Sequence, residues 1–418
     1  MNIFKFGGAS VNSAEGVRNF VKIVQSYKDE MIIVLSAMGK TTNALEEITE
    51  AFFTKDEVVE TKYNALKNFH YDIVNDLFPN KEDAIYGKVG QLFDQLNAYL
   101  KRTPSLDYDF DYDQIVSFGE LLSTTIVSEF LNLSGRPNKW IDIRTCLKTD
   151  NTYREGKIDW ELSQKLVSQT FSFNSTFVYI TQGFLGGTTT NLTTTLGREG
   201  SDYTAAILSY ILDVDQLAIW KDVPGIMNAD PKWLTDAEKL ERISYQEAIE
   251  LAFYGAKVIH PKTIQPIKRK KIPLQVRSFI DYSETGTLIS TASKQMEKQL
   301  PVYIRKQNQV LISIRPSDFS FILEESLGQL FSLFAKHRVK VNLTQNSAIS
   351  FSVCVDNEEK RLNSLLAEVR DNYEVKYNDG VELITIRHHD DESVERMTKG
   401  RSILLEQRSR DTAQFVLV

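Results

Sequence analysis

Two cysteines in 418 residues, Cys146 and Cys354, are too few and too far apart for a disulfide framework or a Cys-x-x-Cys metal site. Five histidines occur, and none stands at zinc-ligand spacing. No run approaches the ~20 apolar residues of a membrane span. The opening Met1-Asn2-Ile3-Phe4-Lys5 enters an apolar segment without the charged-then-apolar plan of a secretory signal. Excess positive charge is absent as well. Lys and Arg number 49 against 56 Asp and Glu, a net charge of −7, which argues against a nucleic-acid binder working through bulk charge. These absences give the expectation of a cytoplasmic protein acting on neither membrane nor nucleic acid. What is present is an ordinary globular composition, 42% hydrophobic and 25% charged. At roughly 150 residues per domain, the length predicts two or three domains.

Residues 3–6 and 31–35 are short, continuously apolar runs, with a helical pattern of Val17, Phe20, Val21 and Val24 between them. Strand, helix and strand with no polar alternation predict a βαβ unit in a parallel sheet buried on both faces. Further strands are expected at 115–118, 177–180 and 216–220, with a helical excursion over 43–101. Near residue 281 the chain becomes turn-rich, and 290–299 is polar without period. Beyond it, strands are expected at 310–314, 339–343, 349–355, 381–386 and 414–418. Helices are expected at 327–336, at 360–370 and up to about 406. Strand-helix-strand-strand-helix-strand is the ferredoxin-like order. The fold class expected is therefore α/β, an open and mainly parallel sheet with helices on both faces, followed by smaller α+β units.

Six motifs carry chemistry. Lys5-Phe6-Gly7-Gly8 ends the first strand with a cation and two glycines, a place where backbone N–H groups can approach an anion. Ser36-Ala37-Met38-Gly39-Lys40-Thr41-Thr42 follows the second strand. It imitates the end of a P-loop but has Val34 where the first glycine belongs, so only a hydroxyl-rich loop at a sheet's carboxyl edge remains. Phe118-Gly119-Glu120 offers a carboxylate to an ammonium group. Gly183-Phe184-Leu185-Gly186-Gly187, continuing to Leu196-Gly197-Arg198-Glu199-Gly200-Ser201-Asp202, combines glycines, threonines, a guanidinium and a carboxylate before a helix. Trp220-Lys221-Asp222-Val223-Pro224-Gly225-Ile226-Met227, with Asp230 and Lys232, offers charged groups to a nucleotide. The sixth is Gly255-Ala256-Lys257-Val258-Ile259-His260-Pro261, where His260 reads as structural. A flexible turn or hairpin remains the plain alternative for each motif taken alone.

Taken in order, the six motifs resemble the aspartate kinase (aspartokinase) family, and the resemblance covers nearly the whole chain. It implies the amino-acid kinase fold over 1–290, a linker over 291–309, an ACT regulatory domain over 310–380 and an abbreviated second ACT domain over 381–418. The activity it implies is transfer of the γ-phosphate of ATP, with Mg²⁺, to the β-carboxylate of L-aspartate, giving 4-phospho-L-aspartate for lysine, threonine and methionine biosynthesis. Residue by residue it implies that Lys5 and Asp202 are catalytic. Ser36, Thr42, Glu120, Arg198 and Ser201 would bind aspartate. Lys5, Gly7, Gly8, Lys221, Asp222, Met227, Asp230, Lys232 and Lys257 would bind ATP. No protein side chain is assigned as a metal ligand, and a homodimer through the ACT domains is implied.

Departures stand at Glu199, where the family has glycine, and at Lys221, Met227 and Lys232, where it has a hydroxyl, a tyrosine and an arginine. Asn342 and Ala348 replace acidic residues that lysine-sensitive members offer their effector. Two alternatives stay open at this stage, a catalytically impaired effector-binding regulator and a kinase of another acidic amino acid.

Overall fold

In the computed structural model, all residues are described except 257–258, 293–299 and 319. The chain divides into two compact units. The first takes in 1–226, 239–249 and 258–294, and the second 227–238, 250–257 and 295–418.

The first unit is built on an eight-stranded sheet. Its strands are β1 (Asn2–Phe6), β2 (Met31–Leu35), β3 (Lys139–Ile141), β4 (Val178–Gln182), β7 (Gln216–Lys221), β8 (Arg242–Ser244), β9 (Leu274–Ser278) and β10 (Thr287–Ser290). The spatial order is β3-β4-β2-β1-β7-β9-β10-β8. All neighbours are parallel except β9 and β10. A separate hairpin pairs β5 (Leu185–Gly187) with β6 (Thr193–Thr195). Strands β2 and β4 are buried at every residue, as continuous apolar runs require when helices cover both faces.

The helices are α1 (Ala14–Gln25), α2 (Thr41–Thr54), α3 (Val58–Leu77), α4 (Ala84–Leu100), α5 (Tyr108–Val116), α6 (Phe118–Leu133), α7 (Trp160–Thr170), α8 (Gly200–Leu212), α9 (Tyr245–Tyr254) and α10 (Pro261–Lys270). Helix α1 starts where the Ser13 side chain accepts from the Gly16 N–H, and it buries Val17, Phe20, Val21 and Val24. The excursion over 43–101 is α2, α3 and α4, as expected.

One expected strand is corrected. Residues 115–118 join two helices. Asp107 caps α5 by accepting from the Asp109 and Phe110 N–H groups. Helix α6 then buries Leu121, Leu122, Ile126, Val127 and Leu131. A four-residue apolar run does not distinguish a strand from a buried helix turn.

The second unit holds a six-stranded antiparallel sheet in the order β12-β13-β11-β14-β16-β15. Its strands are β11 (Val302–Pro316), β12 (Val341–Asn346), β13 (Phe351–Asp356), β14 (Tyr373–Arg387), β15 (Ile403–Arg408) and β16 (Thr412–Leu417), with helices α11 (Glu324–Lys336), α12 (Glu359–Val369) and α13 (Asp391–Thr398). Strands β11 and β14 are 15 residues each and pair along most of their length. The register shifts between Lys306 and Gln309, beside Asn308 at φ +51°. On one side of that break β11 pairs with β13, and on the other β14 pairs with β16.

Three expectations are corrected here. The stretch assigned as linker, 291–309, is strand from Val302 onward. The last block does not begin at 381, because Val302–Lys306 supplies a strand beside Leu383–Arg387. Helix α13 ends at Thr398, and the residues up to 406 enter strand β15 instead. The Asp390 capping box and the Gly400 turn at φ +75° set those limits.

Candidate active site

Three loops meet at the carboxyl ends of β1, β2 and β7, where open α/β sheets place their ligands. Glycines allow the meeting. A Cβ on Gly8 would lie 2.6 Å from the Ala37 carbonyl oxygen, and one on Gly119 would lie 2.9 Å from the Ala37 methyl. The Gly39 N–H donates to the Gly8 carbonyl at 3.0 Å, and the Ser123 hydroxyl donates to the Ser36 carbonyl at 2.7 Å. Behind them, fully buried His70 lies 3.4 Å from the Thr41 hydroxyl at the start of α2.

These loops open on a cleft of about 800 Å³. Lys5, Ser36, Thr42, Glu120, Arg198, Ser201, Asp202 and Lys221 all line it. Lys5 Nζ sits 2.7 Å from Asp202 Oδ1, and Lys221 Nζ lies 3.9 Å from Asp202 Oδ2. Asp202 is buried in the first turn of α8. Burial alone would raise its carboxyl, but the charges of Lys5 and Lys221 outweigh that and hold it below the usual carboxylate range.

Glu120, also buried, accepts from the Ala37 N–H at 3.1 Å through Oε1, while its Oε2 has no partner among the described residues. Burial pushes this carboxyl up to about 8, with the Ala37 N–H and Lys5 opposing. An unpartnered buried carboxylate oxygen in a cleft fits a cationic ligand group.

Ser201 is seated against Gly183, where a Cβ would lie 2.4 Å from the serine's own. Glu199 precedes α8 in the left-handed region at φ +53°, the conformation that favours glycine. Its carboxylate accepts from the His260 N–H at 3.2 Å. His260 in turn caps α10 by accepting from the Lys262 N–H, the structural role expected of it. With the Glu199 carboxylate held there, Glu199→Gly is expected to change the nucleotide KM by less than about threefold, the size of an ordinary surface substitution. A tenfold gain in steady-state kinetics would show that its charge reaches the phosphates.

Not every expected residue joins the cleft. Gly7 lies beside it, its virtual Cβ 3.6 Å from Lys5 Nζ. Gly8 shapes the floor through the close approach to Ala37. Asp222 is exposed just after β7. Met227, Asp230 and Lys232 belong to the second unit, so they are not part of the cleft described for the first. Lys257 lies outside the described residues.

Conversely, the cleft includes residues that no motif announced: Glu46, Asp109, Tyr112 and Arg154. Arg154 lies 4.4 Å over the Tyr112 ring and 3.1 Å from Asp109, and Tyr112 donates to Glu46 at 2.6 Å. The alternating acidic and aromatic run 107–113 was the available signal, but helix spacing and contacts across 40 residues hide it. Three non-glycine residues of the cleft wall hold left-handed backbone: Arg154 at φ +64°, Phe184 at φ +67° and Glu199. Such strain gathers at functional sites. Among the described residues no group of three His, Cys, Asp or Glu is placed to hold a metal ion.

The amino acid kinase family matches residues 1–278, about two thirds of the sequence. The chain belongs to that family. Within it the chain groups with the aspartokinases. It is 30% identical to lysine-sensitive aspartokinase 3 of Escherichia coli, over 93% of this chain and 87% of that protein. It is 28% identical to the bifunctional aspartokinase/homoserine dehydrogenase 2 of Arabidopsis thaliana, of whose length it spans 42%. Among solved structures, E. coli aspartokinase III with lysine and aspartate superposes with a TM-score of 0.84 at 27% identity, covering all of this chain and 95% of that one. The same enzyme with aspartate and ADP gives 0.80 at 28%, over 100% and 96%. The parallel sheet with its helices is thus the amino acid kinase fold, and the antiparallel sheet with helices corresponds to the aspartokinases' C-terminal regulatory part.

Proposed function

We propose that this aspartokinase transfers the γ-phosphate of ATP to the β-carboxylate of L-aspartate, and that the work is divided along the cleft. The observation that carries the reading is the pairing, in one cleft, of a lysine held at 2.7 Å by a buried aspartate with a buried carboxylate oxygen left open. An aspartate side chain, with a pKa of ~3.9, is ionised at neutral pH and needs no general base. Catalysis then reduces to positioning and to positive charge around the transferring phosphoryl group.

In this reading Lys5 meets the phosphoryl oxygens. Asp202 aims the Lys5 ammonium and fixes its charge. Glu120 Oε2 takes the amino acid's ammonium, and Arg198, with Ser201 beside it, takes its α-carboxylate. Ser36 and Thr42 donate hydroxyls near the reacting carboxylate. Lys221 holds nucleotide phosphates with the backbone N–H groups around Gly7 and Gly8. Asp222, Met227, Asp230, Lys232 and Lys257 remain proposed nucleotide contacts on the strength of the motif resemblance alone.

Mg²⁺ fits as an ion carried in by the nucleotide, since such ions keep phosphate and water ligands and need only one or two carboxylates. Asp202 is the carboxylate at that end of the cleft, and the ion would neutralise phosphate charge.

For the second unit we propose pairing with a second copy. Phe321, Leu323 and Phe331 are exposed there, and light scattering of the whole protein tests the mass. Among the described residues no helix is long and apolar enough to cross a membrane.

Hydroxylamine trapping with ATP, Mg²⁺ and L-aspartate, beside L-glutamate and a blank, tests the reaction. Aspartate-dependent hydroxamate is expected. Product with glutamate instead would move the reading to another acidic amino acid. No product from protein that still binds aspartate would favour the impaired regulator.

A further inference from the structure

The cleft wall built by Arg154 and Thr195 is tied together by a carboxylate that never reaches the cleft. Asp113, in α5, is fully buried. Its Oδ2 accepts from the Arg154 N–H at 2.9 Å and from the Thr195 N–H at 2.9 Å, and its Oδ1 accepts from the Thr195 hydroxyl at 2.7 Å. One side chain therefore joins a helix, the 150–157 loop and strand β6. The loop is pinned elsewhere by backbone contacts, with the Gly156 N–H donating to the Thr195 carbonyl at 2.9 Å. The Asp113 bond falls on Arg154, the residue whose left-handed backbone is strained. Both residues it holds, Arg154 and Thr195, line the cleft.

We propose that Asp113 is a positioning residue for the amino-acid substrate, holding Arg154 and Thr195 at the substrate wall in the geometry that binding requires. The inference rests on the kinase reading above. Three donors converge on one carboxylate; an asparagine could hold the two N–H groups with its amide oxygen and donate to the Thr195 hydroxyl, which then accepts, so only a side chain without an acceptor removes the clamp. Loss of the clamp releases the strained Arg154 backbone, and with it the guanidinium stacked on Tyr112.

The clamp also carries a pH signature. Burial raises the Asp113 carboxyl to about 6 against the three donors and the Arg154 charge. The groups facing it are Arg154, Tyr112 and Tyr153. Arg154 and both tyrosines are shifted upward, so none of them titrates near that pH. Protonation removes the charge that strengthens these bonds, so the wall loosens as pH falls through about 6.

The test is steady-state kinetics of the full chain with aspartate and ATP. Asp113→Ala is expected to raise the aspartate KM at least about tenfold, the scale of losing a charged hydrogen-bond acceptor, and Asp113→Asn, which keeps an acceptor, should raise it less. The kcat and the ATP KM should stay within about threefold of wild type. In the wild type the climb of the aspartate KM with falling pH should steepen below about 6, beyond the dependence set by Glu120, and in Asp113→Asn that extra steepening should vanish. A merely structural residue would lower the melting temperature and leave both the KM and its pH profile of the folded enzyme unchanged, which overturns the proposal. Should the Asp113 variants not fold, a wild-type KM profile with no steepening between pH 7 and 5 beyond the Glu120 dependence overturns it equally. Absence of wild-type activity on aspartate would count against the kinase reading and not against the clamp.

Discussion

Lys5→Ala is expected to lower kcat by about 10²–10³, the scale seen when a single preorganised electrostatic donor is removed from a transition state. The ammonium contributes most where phosphoryl charge develops, so the aspartate KM should change far less than kcat. The change has a second effect. Among the described residues it leaves buried Asp202 with Lys221, 3.9 Å away, as its remaining cation, and breaking a buried pair costs about 3–5 kcal/mol when the remaining charge is uncompensated. Stability and rate must therefore be measured on the same preparation. A lower melting temperature accompanied by a kcat loss confined to the folded fraction fits the assignment. Lys5→Ala with near-normal kcat would remove Lys5 from the chemistry.

Glu120→Gln is expected to act on binding rather than on rate. A hydrogen bond to a charged group contributes about 1.5–3 kcal/mol, so the aspartate KM should rise roughly ten- to hundredfold with kcat little changed, the signature of an interaction made equally in ground and transition states. The pH dependence has a definite sign. With its carboxyl raised to about 8, the free enzyme holds a proton on Glu120 at neutral pH, and that proton must leave before an ammonium can be gripped. Aspartate binding should therefore release a proton, visible as a buffer-dependent heat in calorimetry, and the aspartate KM should fall as pH rises toward 8. The proton release and the fall in KM between neutral pH and 8 should both disappear in Glu120→Gln.

The same shift has a linkage consequence for folding. The unfolded carboxyl loses its proton near ~4.3, so burial of Glu120 costs nothing below that pH. The cost grows as pH rises and is complete above about 8. The glutamine variant should accordingly gain thermal stability relative to wild type on the alkaline side.

Much of the kinase unit was legible because its chemistry sits in loops that directly follow apolar strands. Lys5 and Lys221 stand at the carboxyl ends of strands β1 and β7, and Ser36 directly follows β2, so the apolar runs located them. Glu120 was found for a reason partly mistaken, since the apolar run before it is a helix junction rather than a strand. The motif placed it correctly even so, because Gly119 permits the close approach to Ala37 that no period reveals. The Asp113 clamp and the Arg154–Tyr112–Glu46 chain were not legible. Their partners are 41, 42 and 66 residues apart in sequence, and nothing local in an acidic, aromatic run says what it will meet. Glu199 illustrates the reverse case. It looked like a charge intruding on a phosphate loop, and the backbone resolves it by turning left-handed and presenting the carboxylate to the His260 N–H.

The two 15-residue strands of the second unit make its halves inseparable. A tail severed at residue 310 would strip Leu383–Arg387 of its neighbour Val302–Lys306 and leave a row of open amides and carbonyls, an edge prone to pair with other chains. The same continuity turns β11 and β14 into a pair of stiff rods. A displacement of α11 or α12 at one end is carried to α13 and β16 at the other through covalent backbone, without passing through any side-chain relay.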